Sequence, residues 1–395
     1  MTDTARNPSQ RLGQTYHFTD ADMDLFFVGA LGWGPSGGLD VGQAFYVASQ
    51  IEDGDADSWV SAFNAYGDRM NAQADAWQAR GWTRSAGEMR LKAAASYRSA
   101  WQFAPVGEVF RAIYAHERTA FAAALAELAL PATFFCVPYK DKALPGVFLQ
   151  NARADAPVVL VIGGSDTGFE DLFLTVGRNL FDRGYSVAMA DLPGQGNLAD
   201  EGLTWEAESE KPIGAVVDVL VERFNAVPGR IALLGLSLGG YFVTRAAGYE
   251  HRFGAVIASA PFPNPGEMFA RSVEVGMATA VSAPPSLAAQ RNRQVLAWKC
   301  GAKSVEDMVR ITAGMVADPA IVTVPFLSIA GGGESPIFTH QARAWHEAIP
   351  SQHKAFVQLD ASTGADGHCQ INNRLRLAQE VSGWLSDLFD GRAQE

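Results

Sequence analysis

The stretch Ile231-Ala232-Leu233-Leu234-Gly235-Leu236-Ser237-Leu238-Gly239-Gly240 decides how this chain is read. Its first half is a short apolar run of the kind that forms a buried strand. Its second half has the spacing G-x-S-x-G, and a further glycine follows. A strand that turns this sharply into a helix has no room for bulky neighbours. Gly235 and Gly239 let other backbones pass closely, and Ser237 is pushed up out of the sheet as an exposed nucleophile. Gly34-Pro35-Ser36-Gly37-Gly38 fits the same string. No strand precedes it, and a proline among three glycines reads as a loop.

Short apolar runs alternate with helical segments on both sides of the elbow. Strands are expected over 158–162, 186–190, 231–236, 255–259, 325–330 and 355–359, with helices over 171–182, 213–224 and 374–388. That alternation means a mostly parallel, doubly wound α/β sheet with helices on both faces. Ahead of it, 133–139 and 144–149 flank the polar turn Lys140-Asp141-Lys142 and read as a β-hairpin. From about 22 to 130 the chain reads as helix, with Trp59, Phe63, Tyr66 and Met70 at helical spacing. We expect about five helices there. The first twenty residues look like a frayed or docking tail. The organisation expected is an N-terminal all-α domain over 1–130 and a sheet domain over 131–395. A helical insertion at about 261–324 would act as a lid.

The chain has 395 residues, 48% of them apolar and 19% charged, and a formal charge of −12. Such an acidic balance argues against nucleic acid or an anionic membrane surface as partner. Three well-separated cysteines, Cys136, Cys300 and Cys369, make no disulfide framework and fit a reducing compartment. The N-terminus has no apolar signal-peptide core, and no run is long enough to span a bilayer. We expect a soluble, cytoplasmic protein.

A serine hydroxyl needs a base, and in folds built on such an elbow an acid and then a histidine follow it in the chain. Of the seven histidines, His368 alone sits between the last strand and the final helix, in Gly364-Ala365-Asp366-Gly367-His368-Cys369-Gln370. Glu334, in Gly331-Gly332-Gly333-Glu334, follows the strand 325–330 and is the expected acid, with Asp360 and Asp366 as competitors. Its carboxylate would hold the imidazole tautomer and stabilise the imidazolium. Two oxyanion donors are expected. One is the backbone N–H of Leu238; the other comes from Gly164 or Ser165 in Gly163-Gly164-Ser165-Asp166-Thr167. Asp166 and Glu170 in that region either cap the next helix or bind or protonate the substrate. Gln195, in Asp191-Leu192-Pro193-Gly194-Gln195-Gly196, is a candidate for the cleft lining. No residue spacing matches a metal ligand set or a nucleotide loop, so no metal and no cofactor are expected.

Taken together these motifs resemble the α/β-hydrolases, in the branch of 2,6-dihydroxypseudooxynicotine hydrolase and the fungal polyketide-shortening (heptaketide) hydrolases. The resemblance includes Asp53-Gly54-Asp55 and Ser58-Trp59, the hairpin, the Gly163 loop, the elbow and the Gly364–Gln370 string. It implies serine hydrolases with an N-terminal helical cap, some cleaving a carbon–carbon bond beside a ketone and others cleaving esters. It also implies a homodimer through the cap. The branch usually has Asp as the acid, and Glu334 stands one residue out of step with it.

The expected activity is therefore hydrolysis of a small carbonyl compound, an aromatic or polyketide-like ketone cleaved at a carbon–carbon bond. Trp33, Phe45, Tyr97, Trp101 and Phe103 are candidates to receive it. The alternative is a carboxylesterase or thioesterase. A peptidase is less expected, because no propeller domain precedes the hydrolase fold, although the lid could admit short peptides. A ligand-binding protein on a retired hydrolase would leave Ser237 and His368 without use.

Overall fold

The computed structural model describes residues 10–279 and 284–390, with side chains of 275–279 excluded. Five helices come first: α1 (Ala21–Gly32), α2 (Val41–Ala48), α3 (Ala56–Gln78), α4 (Thr83–Trp101) and α5 (Glu108–Glu127). Gly34–Ser36, the second G-x-S-x-G match, is a short 3-10 turn between the first two. Asp20 caps α1 by accepting from the N–H groups of Asp22 and Met23, and Asp55 caps α3 by accepting from Asp57. Caps of this kind satisfy N–H groups that the helix itself leaves without acceptors.

The sheet begins with the hairpin β1 (Ala132–Tyr139) and β2 (Lys142–Leu149), followed by β3 (Val158–Ile162). Next comes one continuous helical rod: α6 (Phe169–Leu172), a π segment over Phe173–Gly177, and α7 (Arg178–Asp182). Then follow β4 (Ser186–Ala190), α8 (Glu210–Phe224), β5 (Ile231–Leu236), α9 (Leu238–Ala246) and β6 (Phe253–Ser259). The insertion supplies α10 (Pro265–Thr279), α11 (Leu287–Cys300) and α12 (Val305–Thr312). β7 (Phe326–Gly331), α13 (Pro336–Ala348), β8 (Lys354–Leu359) and α14 (Arg374–Phe389) complete the chain.

The strand order is β1-β2-β4-β3-β5-β6-β7-β8, antiparallel at β1-β2 and β2-β4 and parallel in the rest. This is the α/β-hydrolase arrangement. β3, β4 and β5 are buried along their whole length, as continuous apolar runs in a sheet covered on both faces should be. Alternation sorts the side chains. Val159 and Val161 of β3 join one apolar cluster, while Val158, Leu160 and Ile162 join the other. The first cluster runs without a break from the sheet into the N-terminal helices, taking in Trp59, Phe63, Trp101 and Phe103. The helices and the sheet therefore share one core.

Residues 10–20 dock rather than fray. The N–H groups of Tyr16, His17 and Phe18 donate to the buried carboxylate of Asp24, and those of Thr19 and Asp20 donate to Asp53. Residues 1–9 lie outside the described residues. Among the described residues no helix is long and apolar enough to cross a membrane.

At the elbow, bare backbone is a steric necessity. A Cβ on Gly240 would sit 1.9 Å from the Ala260 carbonyl oxygen, and one on Gly235 would sit 2.2 Å from that of Gly239. Both obstacles are backbone, so they cannot swing aside. We expect Gly240→Ala to destabilise the protein by about 1–3 kcal/mol or more in urea unfolding, the usual cost of overpacking a tight site. Unchanged stability would contradict this packing.

Candidate active site

Ser237 stands between β5 and α9 with φ 57° and ψ −122°, in a region that non-glycine residues rarely occupy. Its N–H donates to the carbonyl of Ser259 at the end of β6 (2.8 Å), which holds the turn in place. Its Oγ lies 2.9 Å from Nε2 of His368. On the other side of the ring, Nδ1 is hydrogen-bonded to Glu334 Oε1. The second carboxylate oxygen of Glu334 accepts from the N–H of Gly331 (2.8 Å), and the residue is buried. Serine, imidazole and carboxylate thus form one hydrogen-bonded relay on three loops at the carboxyl ends of the strands.

The competing acids are engaged elsewhere. Asp360 caps the turn Ala361–Thr363 by accepting from Ser362, and Asp366 accepts from Asn372 Nδ2 (2.8 Å). Glu334 reaches the ring despite its shifted position because Gly331, Gly332 and Gly333 turn the chain tightly after β7. A Cβ on Gly331 would meet the Asp366 carbonyl oxygen at 2.3 Å.

The residues after the histidine serve the same geometry. Cys369 Sγ donates to the Ser259 carbonyl (2.9 Å), and Gln370 Oε1 accepts from the Ser259 hydroxyl (2.8 Å). Ser259 is therefore tied to the nucleophile's backbone and to both residues that follow the base. The docked N-terminal segment adds a further tie. The His368 N–H donates to the Arg11 carbonyl (2.8 Å), and the Ser335 N–H donates to that of Gln10 (2.9 Å). Sequence reasoning missed Arg11 and Ser259, since the ties they make to His368 and Ser237 run through backbone carbonyls that any residue carries.

Burial works against charge on His368, while the hydrogen-bonded Glu334 carboxylate favours it, and its pKa is raised above the ordinary imidazole range. An imidazolium formed here is well stabilised. The neutral ring that can take a proton from Ser237 forms as pH rises.

The expected oxyanion donors lie at the nucleophile to different degrees. Leu238 is the first residue of α9, so its N–H has no acceptor within the helix. Gly164 lies against the serine, where a Cβ would be 2.8 Å from Ser237 Cβ and 3.2 Å from Oγ. Ser165 does not line the cavity, whereas Gly164 does. Gln195 is buried and does not face the cleft. Its Nε2 donates to the carbonyls of Gly163 (2.6 Å) and Gly164 (3.1 Å), while its Oε1 accepts from Leu192 N–H (2.8 Å). It pins the loop beside the serine.

Asp166 and Glu170 separate. Asp166 lines the cavity that opens on Ser237, and Glu170 does not. Neither caps the helix: Gly168 is the N-cap of α6, and the Asp171 carboxylate reaches its N–H at 3.4 Å. The helical register turns Glu170 the other way, toward Tyr114 (3.2 Å) and Arg118 (3.0 Å), where burial pushes its pKa up to about 7. Burial and the Glu170 charge raise Asp191 beside it as well. Glu170 is thus a member of a buried acid cluster behind the loop.

The cover of the cavity also differs from expectation. No described residue of the 261–324 insertion lines it; residues of α1, α4 and the docked tail do. α11 is held away by packing against α3's entry, where Ala288 N–H donates to Gly54 O (3.1 Å). Of the five aromatics singled out, Trp33 alone reaches the cavity. Phe45 is exposed, and Tyr97, Trp101 and Phe103 are core residues. Among the described residues no cluster of three or more His, Cys, Asp or Glu is arranged to hold a metal.

The model of the Hydrolase_4 family, described as serine aminopeptidase, S33, matches residues 152–362. Among curated relatives, 20-hydroxy-prefusarin hydrolase FUS2 of Gibberella moniliformis is 31% identical over 245 residues, 58% of each chain. Hydrolyase poxO of Penicillium oxalicum is 28% identical over 260 residues, and the match spans 62% of either length. The chain thus covers about three-fifths of these relatives. The crystal structure of 2,6-dihydroxy-pseudo-oxynicotine hydrolase superposes with a TM-score of 0.72 at 21% identity, over 90% of this chain and 95% of that one. AbyA5 superposes with a TM-score of 0.61 at 16% identity, over 88% and 95%. At these identities the two structures show the shared fold.

Glu334→Gln removes the carboxylate that favours the imidazolium, so the His368 pKa should fall. Followed by NMR of labelled histidine, we expect a drop of about one unit or more, each unit being about 1.4 kcal/mol. An unchanged titration would contradict the Glu334–His368 pairing.

Proposed function

Because this chain belongs to the Hydrolase_4 family of serine hydrolases (serine aminopeptidase, S33) and is an α/β-hydrolase enzyme, we propose that Ser237, His368 and Glu334 form a catalytic triad acting on a carbonyl substrate. The observation that carries this reading is the relay itself: a strained serine 2.9 Å from an imidazole whose other nitrogen is bonded to a buried carboxylate. His368 takes the serine proton as Ser237 attacks, and Glu334 stabilises the resulting imidazolium. The N–H groups of Leu238 and Gly164 hold the oxyanion, and water then releases the acyl group.

The preferred substrate is an aromatic or polyketide-like ketone, cleaved at the carbon–carbon bond beside the carbonyl. The likeness to 20-hydroxy-prefusarin hydrolase and to 2,6-dihydroxy-pseudo-oxynicotine hydrolase supports this class. The cavity walls of Leu25, Phe26, Trp33, Leu172 and Ile371 suit an apolar or aromatic body. The carbon leaving group departs as an enol, with His368 or Asp166 supplying the proton. Ester or thioester hydrolysis is the second reading, favoured by the same relay, since an alkoxide needs a proton from His368 alone. A cytoplasmic location and a homodimer through the helical region belong to the same proposal. Val41, Phe45 and Tyr46, exposed together on α2, support the homodimer.

The test is a paired assay on p-nitrophenyl esters of increasing acyl length and on aryl 1,3-diketones, with Ser237→Ala as control. We expect serine-dependent cleavage of the diketones, slower ester turnover, and a loss of about 10⁴-fold or more in the variant. kcat/KM should rise with pH as His368 loses its proton. Fast esters with inert diketones would move the reading to a carboxylesterase, and turnover that survives Ser237→Ala would overturn the triad.

A further inference from the structure

Three arginines line the cavity that opens on Ser237, and their partners differ. Arg11 is paired with Asp22 at 2.6 Å. Arg98 has Nε on Asp171, Nη1 on Gln102 (2.9 Å) and Nη2 on the Asp166 carbonyl (2.8 Å), and it lies 3.8 Å from the centre of the Trp101 ring. Arg374, the first residue of α14, is 8% exposed and has no carboxylate within 4.0 Å among the described residues. Nη1 donates to Thr175 Oγ1 (3.2 Å), and Nε is buried with no partner. Thr175 offers it nothing more. Its hydroxyl already accepts from Trp33 Nε1 (3.0 Å) and donates to the Asp171 carbonyl (2.8 Å).

The seat of Arg374 is shaped for a guanidinium. α1 faces it with the bare backbone of Gly29 and Gly32, where an added Cβ would come within 3.4 Å of Nη2 and 3.3 Å of Nε. The Trp33 ring lies 5.2 Å from its Cζ. A buried charge without a counter-charge is costly, and an arginine cannot escape by losing its proton at neutral pH. Burial pulls its pKa down to about 10. Asp171 and Asp166, also in the cavity, lend it some favourable charge from a distance. The Asp171 carboxylate is bonded to Arg98, however, and neither forms an ion pair with Arg374, so its free donors are open to an anion entering from outside.

We propose that Arg374 recognises an ionised oxygen of the substrate, so that the substrate class is a carbonyl compound bearing a carboxylate or an acidic, ionised enol. The apolar walls take its body and the guanidinium takes its charged end, for which the planar fork is well matched. This inference deepens the hydrolase reading and rests on it only for calling the ligand a substrate.

Binding to Ser237→Ala protein, measured by calorimetry, tests the recognition without requiring turnover. One arm compares 3-benzoylpropanoate with its methyl ester, and the other compares 2-acetylcyclohexane-1,3-dione with its enol methyl ether. We expect the anion to bind about tenfold or more tightly than its neutral partner in at least one arm, which identifies the source of the charge. Arg374→Met should abolish that preference. Arg374→Gln, which keeps donors for Thr175, serves the same purpose if the methionine variant does not fold. Equal binding of anion and neutral partner in both arms, or a preference that survives loss of Arg374, would overturn the proposal. Failure of the hydrolase reading would appear instead as absent turnover in the paired assay, with the anion preference intact.

Discussion

The carbonyl of Ser259 is the point from which the arrangement of Ser237 and His368 is set. It accepts from the N–H of Ser237 and from the Sγ of Cys369, the neighbour of His368. Ser237 and His368 come from loops 131 positions apart, yet both are referenced to one oxygen at the end of β6. That reference works only because glycines let the backbones close in, Gly240 on Ala260 and Gly239 on Gly163. The serine's strained backbone is held by this closeness, and the surrounding sheet maintains it.

The N-terminal helices are part of the same body. They share an apolar core with one face of the sheet, and the segment ahead of them lends backbone carbonyls from Gln10 and Arg11 to the loops carrying Glu334 and His368. The Asp53-Gly54-Asp55 string, otherwise unexplained, has a plain function here. Asp53 accepts from the tail, Asp55 caps α3, and Gly54, at φ 83°, makes the turn between them. The cavity at Ser237 is accordingly lined by residues of α1, α4 and α14, while the described residues of the insertion over 261–324 stand off it.

The central strands β3, β4 and β5 were legible because each is a short, continuous apolar run, and a parallel sheet buried on both faces demands that pattern. Ser237 and His368 were legible because chemistry and chain order restrict them to one motif and one loop. Glu334 was legible from its place after β7, though its match to the family pattern was shifted. The cavity was not legible. Trp33 was named among five aromatic candidates with nothing in the sequence to separate it from the four that do not reach the cavity, and Arg374 meets Thr175 across 199 positions. Gln195 acts on main-chain groups and Ser259 chiefly through its own carbonyl, and main-chain groups leave no mark in the sequence. Glu170 and Asp166, four apart, were read as equivalent, and only the start of α6 at Phe169 sends them to opposite sides.

The central claim is that the relay activates Ser237 and no other nucleophile. Labelling of the folded protein with a fluorophosphonate, followed by mass-spectrometric mapping of the adduct, tests it most directly. The account predicts one equivalent of label per chain, on the peptide that carries Ser237, with a rate that increases with pH. No adduct on folded protein, or an adduct on any other residue, would contradict it.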